Sequence, residues 1–75
     1  MDLIKTGNLI SKLRRENNLT QKDVADKLGI CSKTVSKWET GKGFPYISLI
    51  TGLSDIFKVD ISKLLKGEMP ENRPD

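Results

Sequence analysis

The side chains of residues 31–42 have the types and spacing expected of a surface that contacts an anionic partner. Placed at 100° intervals, as in a helix, they separate into two faces. The inner face contains Val35 and Trp38, with Cys31 and Thr34 beside them. The outer face contains Ser32, Lys33, Ser36 and Lys37, within roughly 140° of arc. Hydroxyl and ammonium groups suit phosphate oxygens and base edges, so the pattern favours contact with nucleic acid.

Catalysis is disfavoured by what the sequence lacks. It contains no histidine and one cysteine, Cys31. The commonest general base, the usual Ser–His and Cys–His pairs and the commonest metal ligand are therefore missing. One thiol forms no internal disulfide and no multi-thiolate zinc site. Only a mechanism with two carboxylates stays open, and Asp and Glu are scattered singly, each near a Lys or Arg. We expect no enzyme, no metal site and no cofactor.

The size and charge of the chain point the same way. Its 75 residues suffice for one domain, and the net charge is +3. Residues 1–42 contain nine Lys/Arg and five Asp/Glu, whereas residues 43–75 contain four and five. A basic excess in one half suits a polyanionic partner. No apolar run approaches the roughly 20 residues that span a bilayer, and the N-terminus has no signal-peptide pattern. We expect a cytoplasmic protein without membrane association.

Hydrophobic periodicity and capping residues predict an all-α chain of five short helices. The first helix spans roughly residues 4–17, with either Asp2 or Thr6 as its cap. Thr20 and Asp23 form the pattern of a capping box before a second helix of about eight residues, which Gly29 ends. The remaining helices are predicted at residues 32–40, 47–57 and 61–66. We therefore assign residues 1–67 to one domain and residues 68–75 to a flexible tail.

The second and third predicted helices form a distinctive pair. They are short, and a turn of three to four residues that contains Gly29 separates them, which is the pattern of a helix-turn-helix. In that motif the first helix braces across the DNA backbone, and the second presents a narrow polar face to the major groove. Small residues at Ala25 and Gly29 suit a close approach of the two helices, and Val35 and Trp38 anchor the second helix to the core.

A family resemblance covers roughly residues 7–68. The segments LTQKDVADKLGI (residues 19–30) and SKTVSKWETGK (residues 32–42) resemble the Cro/cI-type, or Xre-family, helix-turn-helix. The resemblance continues through Pro45, Leu49 and Ile50 to VDISKLLKGE (residues 59–68). It implies a lambda-repressor-like domain of five helices that binds double-stranded operator DNA. Such domains usually bind inverted repeats as homodimers and regulate transcription, more often as repressors than as activators.

The resemblance also implies roles for individual residues. Gln21 corresponds to a residue that contacts a phosphate and supports the recognition helix. Arg14 and Glu39 correspond to a structural salt bridge that ties the first helix to the recognition helix. The residues at base-reading positions are Ser32, Lys33 and Lys37, with Thr34 and Ser36 close behind. Thr40 and Lys42 correspond to contacts with backbone phosphates.

Two positions depart from the family pattern. Cys31 stands where a Ser or Thr usually caps the recognition helix, so we expect a weakened cap, or Ser32 in its place, and a half-buried thiol. Tyr46 stands where an Asp often caps the fourth helix, and we assign it no function. Two other functions use the same fold: an antitoxin of a toxin–antitoxin pair, and a protein-interaction module without DNA contact. The cationic recognition face disfavours the second, and the short tail leaves little room for a toxin-binding segment.

Overall fold

A computed structural model describes residues 2–66, which form five helices and no strand. The helices are α1 (Leu3–Glu16), α2 (Gln21–Leu28), α3 (Ser32–Glu39), α4 (Ile47–Phe57) and α5 (Ile61–Lys66). The all-helical prediction is confirmed. Within these residues, no helix combines the length and apolar character needed to cross a bilayer. The predicted tail, residues 68–75, lies outside the described residues.

Local signals fix the start of α1 and both ends of α2. Asp2 caps α1: its Oδ1 accepts hydrogen bonds from the amides of Ile4 and Lys5 at 3.0 and 3.1 Å. The capping box of α2 is complete, since Thr20 Oγ1 accepts from the Asp23 amide and Asp23 Oδ2 accepts from the Thr20 amide. The hydrogen bond that the Thr20 amide donates to the Asp23 carboxylate is the main cause that lowers the pKa of this carboxyl.

The core lies where the five helices meet. Thr6, one of the two candidate caps of α1, instead lies in this core and donates its hydroxyl to the carbonyl oxygen of Leu64 at 3.0 Å. Leu9 of α1 is also buried. The fully buried large side chains are Ile10, Ile50, Leu53, Leu64, Val24 and Val35.

Two helical glycines lie at helix crossings. A Cβ on Gly7 would collide with the carbonyl oxygen of Trp38, so α1 packs directly on the backbone of α3. A Cβ on Gly52 would meet Leu28 Cδ2 at 2.5 Å, where α4 crosses α2. Gly29 ends α2 as predicted, with a left-handed φ of +72°. Among residues 2–66, no atom beyond its chain neighbours lies within 4 Å of a Cβ built on it, so the expected close approach of the two helices at Gly29 is wrong.

Candidate nucleic-acid interface

The pair α2 and α3 holds the candidate interface in place. Residues 29–31 connect the two helices, and Ala25 of α2 is buried at 1% exposure. On α3, Val35 and Trp38 are buried at 0% and 3% exposure and fix the inner face of the helix against the core. The outer face is thereby held towards solvent, without any contribution from its own polar side chains.

Three lysines dominate this outer face. Lys33 and Lys37 of α3 are exposed, and so is Lys42 in the following loop. Within residues 2–66, none of the three forms a salt bridge or a side-chain hydrogen bond. Their ammonium groups are therefore available to an anionic ligand. The hydroxyl residues between them are half-buried: Ser32, Thr34 and Ser36.

A carboxylate, Glu39, lies at the end of the same helix but is fully engaged. Its Oε2 accepts from Arg14 Nε at 2.7 Å, and its Oε1 accepts from Arg14 Nη2 at 3.1 Å. Oε1 also accepts from Gln21 Nε2 at 3.0 Å. The side chains of Arg14 and Glu39 are only 14% and 7% exposed. The acid therefore presents little free negative charge to the lysine face.

Arg14 completes this link between three elements. Its Nη1 donates to the carbonyl oxygen of Leu19 at 2.9 Å, in the connection between α1 and α2. The hydrogen bond to Glu39 raises the pKa of the Arg14 guanidinium. Burial lowers this pKa, and the negative charge of Glu39 raises it, so the net shift is upward. A bidentate guanidinium–carboxylate pair has a fixed geometry. The Arg14–Glu39–Gln21 cluster therefore sets where α3 ends relative to α1 and α2.

The remaining positions named from the sequence differ in how free they are. Gln21 donates one amide hydrogen to Glu39, which leaves its second amide hydrogen for another acceptor. Thr40 is exposed, but its hydroxyl is directed at the Ser36 and Lys37 carbonyl oxygens at 3.0 and 3.2 Å. That hydroxyl has one hydrogen, so donation to a phosphate requires it to rotate away from the helix end.

The start of α3 has the weakened cap that we expected. Cys31 occupies the N-cap position, and its side chain makes no capping hydrogen bond. The thiol is exposed, so the expectation of a half-buried cysteine is wrong. A thiol is a weak acceptor and gains little by turning towards the helix end. Ser32 makes no side-chain hydrogen bond within residues 2–66 and does not replace the cap. The first turn of α3 therefore relies on packing by Val35.

Sequence reasoning missed a cavity of about 380 Å³ beside the lysine face. It lies between the second half of α3 and the start of α4. Among residues 2–66, no acidic side chain lines it, and three of its eight lining residues are aromatic. The signal available in the sequence was Tyr46, an aromatic residue where a capping Asp is usual. The residues that line the cavity on the side of α4 are Phe44, Tyr46 and Leu49.

Comparisons with known proteins agree with the helix-turn-helix fold. A family model described as "Helix-turn-helix domain" matches residues 7–70. The chain is 41% identical over 59 residues to the HTH-type transcriptional activator BcrR of Enterococcus faecalis, covering 79% of this chain and 29% of BcrR. It is 28% identical over 61 residues to the cryptic phage CTXphi transcriptional repressor RstR of Vibrio cholerae, covering 81% of this chain and 54% of RstR. The chain thus spans about half or less of these relatives.

A solved structure has the same fold over nearly all of its length. It is the restriction-modification controller protein C.AhdI from Aeromonas hydrophila, with a TM-score of 0.76 and 25% sequence identity. The likeness covers 84% of this chain and 96% of C.AhdI. Most of this chain therefore has an arrangement already seen in a solved structure.

Proposed function

Because this chain belongs to the helix-turn-helix domain family, we propose that it binds double-stranded DNA with sequence specificity and regulates transcription. The observation that carries the proposal is the outer face of α3. It presents Lys33 and Lys37 with no carboxylate partner among residues 2–66, while the one nearby acid, Glu39, is held by Arg14. A helix with this face fits the major groove, whose base edges offer acceptors to such donors.

The proposed contacts divide into two kinds. Ser32, Lys33 and Lys37 read base edges, with Thr34 and Ser36 close to them. Gln21, Thr40 and Lys42 contact backbone phosphates, which position the domain but carry no sequence information. Gln21 has a double role, since one amide hydrogen holds Glu39 and the other faces the phosphate. The DNA contact and the placement of α3 are thereby joined through one side chain.

The finer features of the proposal concern assembly and regulation. We assign a homodimer on an inverted repeat, because one α3 reads only a few base pairs and two-fold symmetry doubles the site. Repression is the proposed outcome, supported by the resemblance to RstR, which is named a repressor; BcrR is named an activator. A reporter fused to a bound promoter, with and without the protein, measures the sign. The proposed binding to DNA supports a cytoplasmic location, which is part of this proposal.

Titrations over salt concentration test the division of labour among the lysines. We expect Lys42→Ala to weaken binding to every duplex alike and to reduce the slope of log K against log salt by about one unit. Lys33→Ala and Lys37→Ala should cost about 1–3 kcal/mol on the preferred duplex and much less on a random one. Lys12→Ala is the control, because it removes the same charge from an exposed site on α1.

The measurement is fluorescence anisotropy on a selected and a scrambled duplex, between about 50 and 200 mM salt. If all three interface variants lose equally on both duplexes, the assignment of base-reading residues is wrong. If wild type fails to bind either duplex at low salt, DNA binding itself is wrong, and a protein partner becomes the candidate.

A further inference from the structure

The cavity beside α3 combines positive charge with an apolar wall. Lys37 and Lys42 line it, and neither has a carboxylate partner within residues 2–66. Trp38, Phe44 and Leu49 supply apolar surface. An occupant that satisfies both features has an anionic group next to a compact apolar group. A sugar–phosphate unit has this composition, since its phosphate is charged and the carbon face of its deoxyribose is apolar.

Tyr46 is the unexplained residue of this cavity. Its side chain is 79% exposed, although it precedes a core helix. It stands at the N-cap of α4 and makes no capping hydrogen bond. By contrast, Phe44 and Leu49 pack against the core. The fold therefore makes little use of the Tyr46 ring, which leaves its apolar surface open at the rim of a cationic cavity.

The position of the cavity decides between possible sources of a sugar–phosphate. Thr34 and Lys37 belong both to the cavity lining and to the proposed DNA-binding positions of α3. A duplex that places its major groove on α3 therefore brings a flanking strand to the cavity. We propose that the cavity receives one sugar–phosphate unit of that strand, with the Tyr46 ring against the deoxyribose and Lys42 near the phosphate. This inference rests on the proposed function and extends it to a residue outside the helix-turn-helix.

The test is the affinity of variants of the 75-residue chain for a duplex of about 20 base pairs, two helical turns, at low salt. If the ring loses about 50 Å² of exposed apolar surface on binding, Tyr46→Ala weakens binding about eightfold. Tyr46→Phe keeps the ring and stays within about twofold of wild type. The slope of log K against log salt is unchanged in Tyr46→Ala, because no charge is lost, whereas Lys42→Ala lowers that slope by about one unit. Ile47→Ala is the matched control, since Ile47 is 70% exposed but does not line the cavity.

Hydroxyl-radical footprinting then locates the effect, because the radical attacks deoxyribose. We expect one sugar at the edge of each site to be protected in wild type and Tyr46→Phe and cleaved in Tyr46→Ala. Wild-type affinity and footprint in Tyr46→Ala, with the expected loss in Lys33→Ala, would overturn this inference and leave the proposed function intact. A separate experiment measures binding of thymidine 5′-monophosphate to the protein. If this nucleotide binds at the cavity while Tyr46→Ala leaves the affinity for duplex unchanged, the site belongs to a free nucleotide and the inference is wrong. No duplex binding by wild type would overturn both proposals.

Discussion

The ion pair between Arg14 and Glu39 gives the sharpest prediction about stability. Glu39→Ala removes the acceptor of three hydrogen bonds and leaves the Arg14 guanidinium, at 14% exposure, without its counter-charge. Breaking a buried pair by removing one partner costs about 3–5 kcal/mol. Because Arg14 keeps some contact with water, we take the lower end, about 3 kcal/mol. For a domain of this size, that corresponds to a fall in Tm of about 12–24 °C.

The assay is thermal and urea unfolding followed by circular dichroism, for both single alanine variants and the double variant. Once one charge is gone, removing the other costs little more, so Arg14→Ala/Glu39→Ala should lose only about 1 kcal/mol beyond either single variant. The Lys22–Asp26 pair provides a matched control. Lys22 Nζ and Asp26 Oδ2 lie 3.0 Å apart, but the side chains of Lys22 and Asp26 are 77% and 63% exposed. Lys22→Ala should cost no more than about 0.5 kcal/mol.

Two results would refute this reasoning. If Glu39→Ala costs no more than Lys22→Ala, the pair is solvated and does not position α3. If the losses of the single variants add in the double variant, the two side chains stabilise the fold independently, and the measured cost belongs to packing.

Four further substitutions test the packing and capping. Gly7→Ala should lower the free energy of unfolding by about 3 kcal/mol or more, since its Cβ would meet the rigid backbone of Trp38. Gly52→Ala should change it by no more than about 1 kcal/mol, because the flexible end of Leu28 can move. The midpoints of urea unfolding compare the two variants. Trp38→Ala should cost about 3–5 kcal/mol, and an unchanged Tm would show that its burial is unimportant. The pKa of Asp23 is lower in the folded than in the unfolded chain, so the ionised carboxylate stabilises the fold. This stabilisation is complete above the unfolded pKa, about 3.9, and is lost as pH falls through the folded pKa. Asp23→Asn should therefore flatten the acid limb of a Tm–pH profile, and an identical profile would contradict this.

Local signals in the sequence were sufficient for the helix-turn-helix. The caps of α2 depend on residues within three or four positions of each other, so Thr20 and Gly29 could be assigned without knowledge of the fold. The predicted boundaries of α4 and α5 agree with the structure, because their apolar positions follow helical spacing, which is also a local signal. α3 ends at Glu39, one residue before the prediction, since Thr40 already has non-helical φ and ψ.

Features that depend on distant residues were not predictable in this way. Thr6 is a residue type that often caps helices, but its hydroxyl donates a hydrogen bond to the carbonyl oxygen of Leu64, 58 positions away. Nothing local to Gly7 distinguishes a tolerated glycine from one that lies on the backbone of another helix. The cavity likewise arises only when the loop after α3 folds back beside α4. The roles of the individual lysines stay predictions, because a solvent-facing lysine has the same local pattern whether or not it meets DNA.

Sequence reading by α3 is tested most directly by selection from a random duplex library at moderate salt, with the Lys33→Ala/Lys37→Ala protein as control. We predict enrichment of an inverted repeat with half-sites about one helical turn apart, and loss of that enrichment in the control. Salt-sensitive binding without enrichment, or the same motif enriched by both proteins, would contradict sequence reading by the outer face of α3.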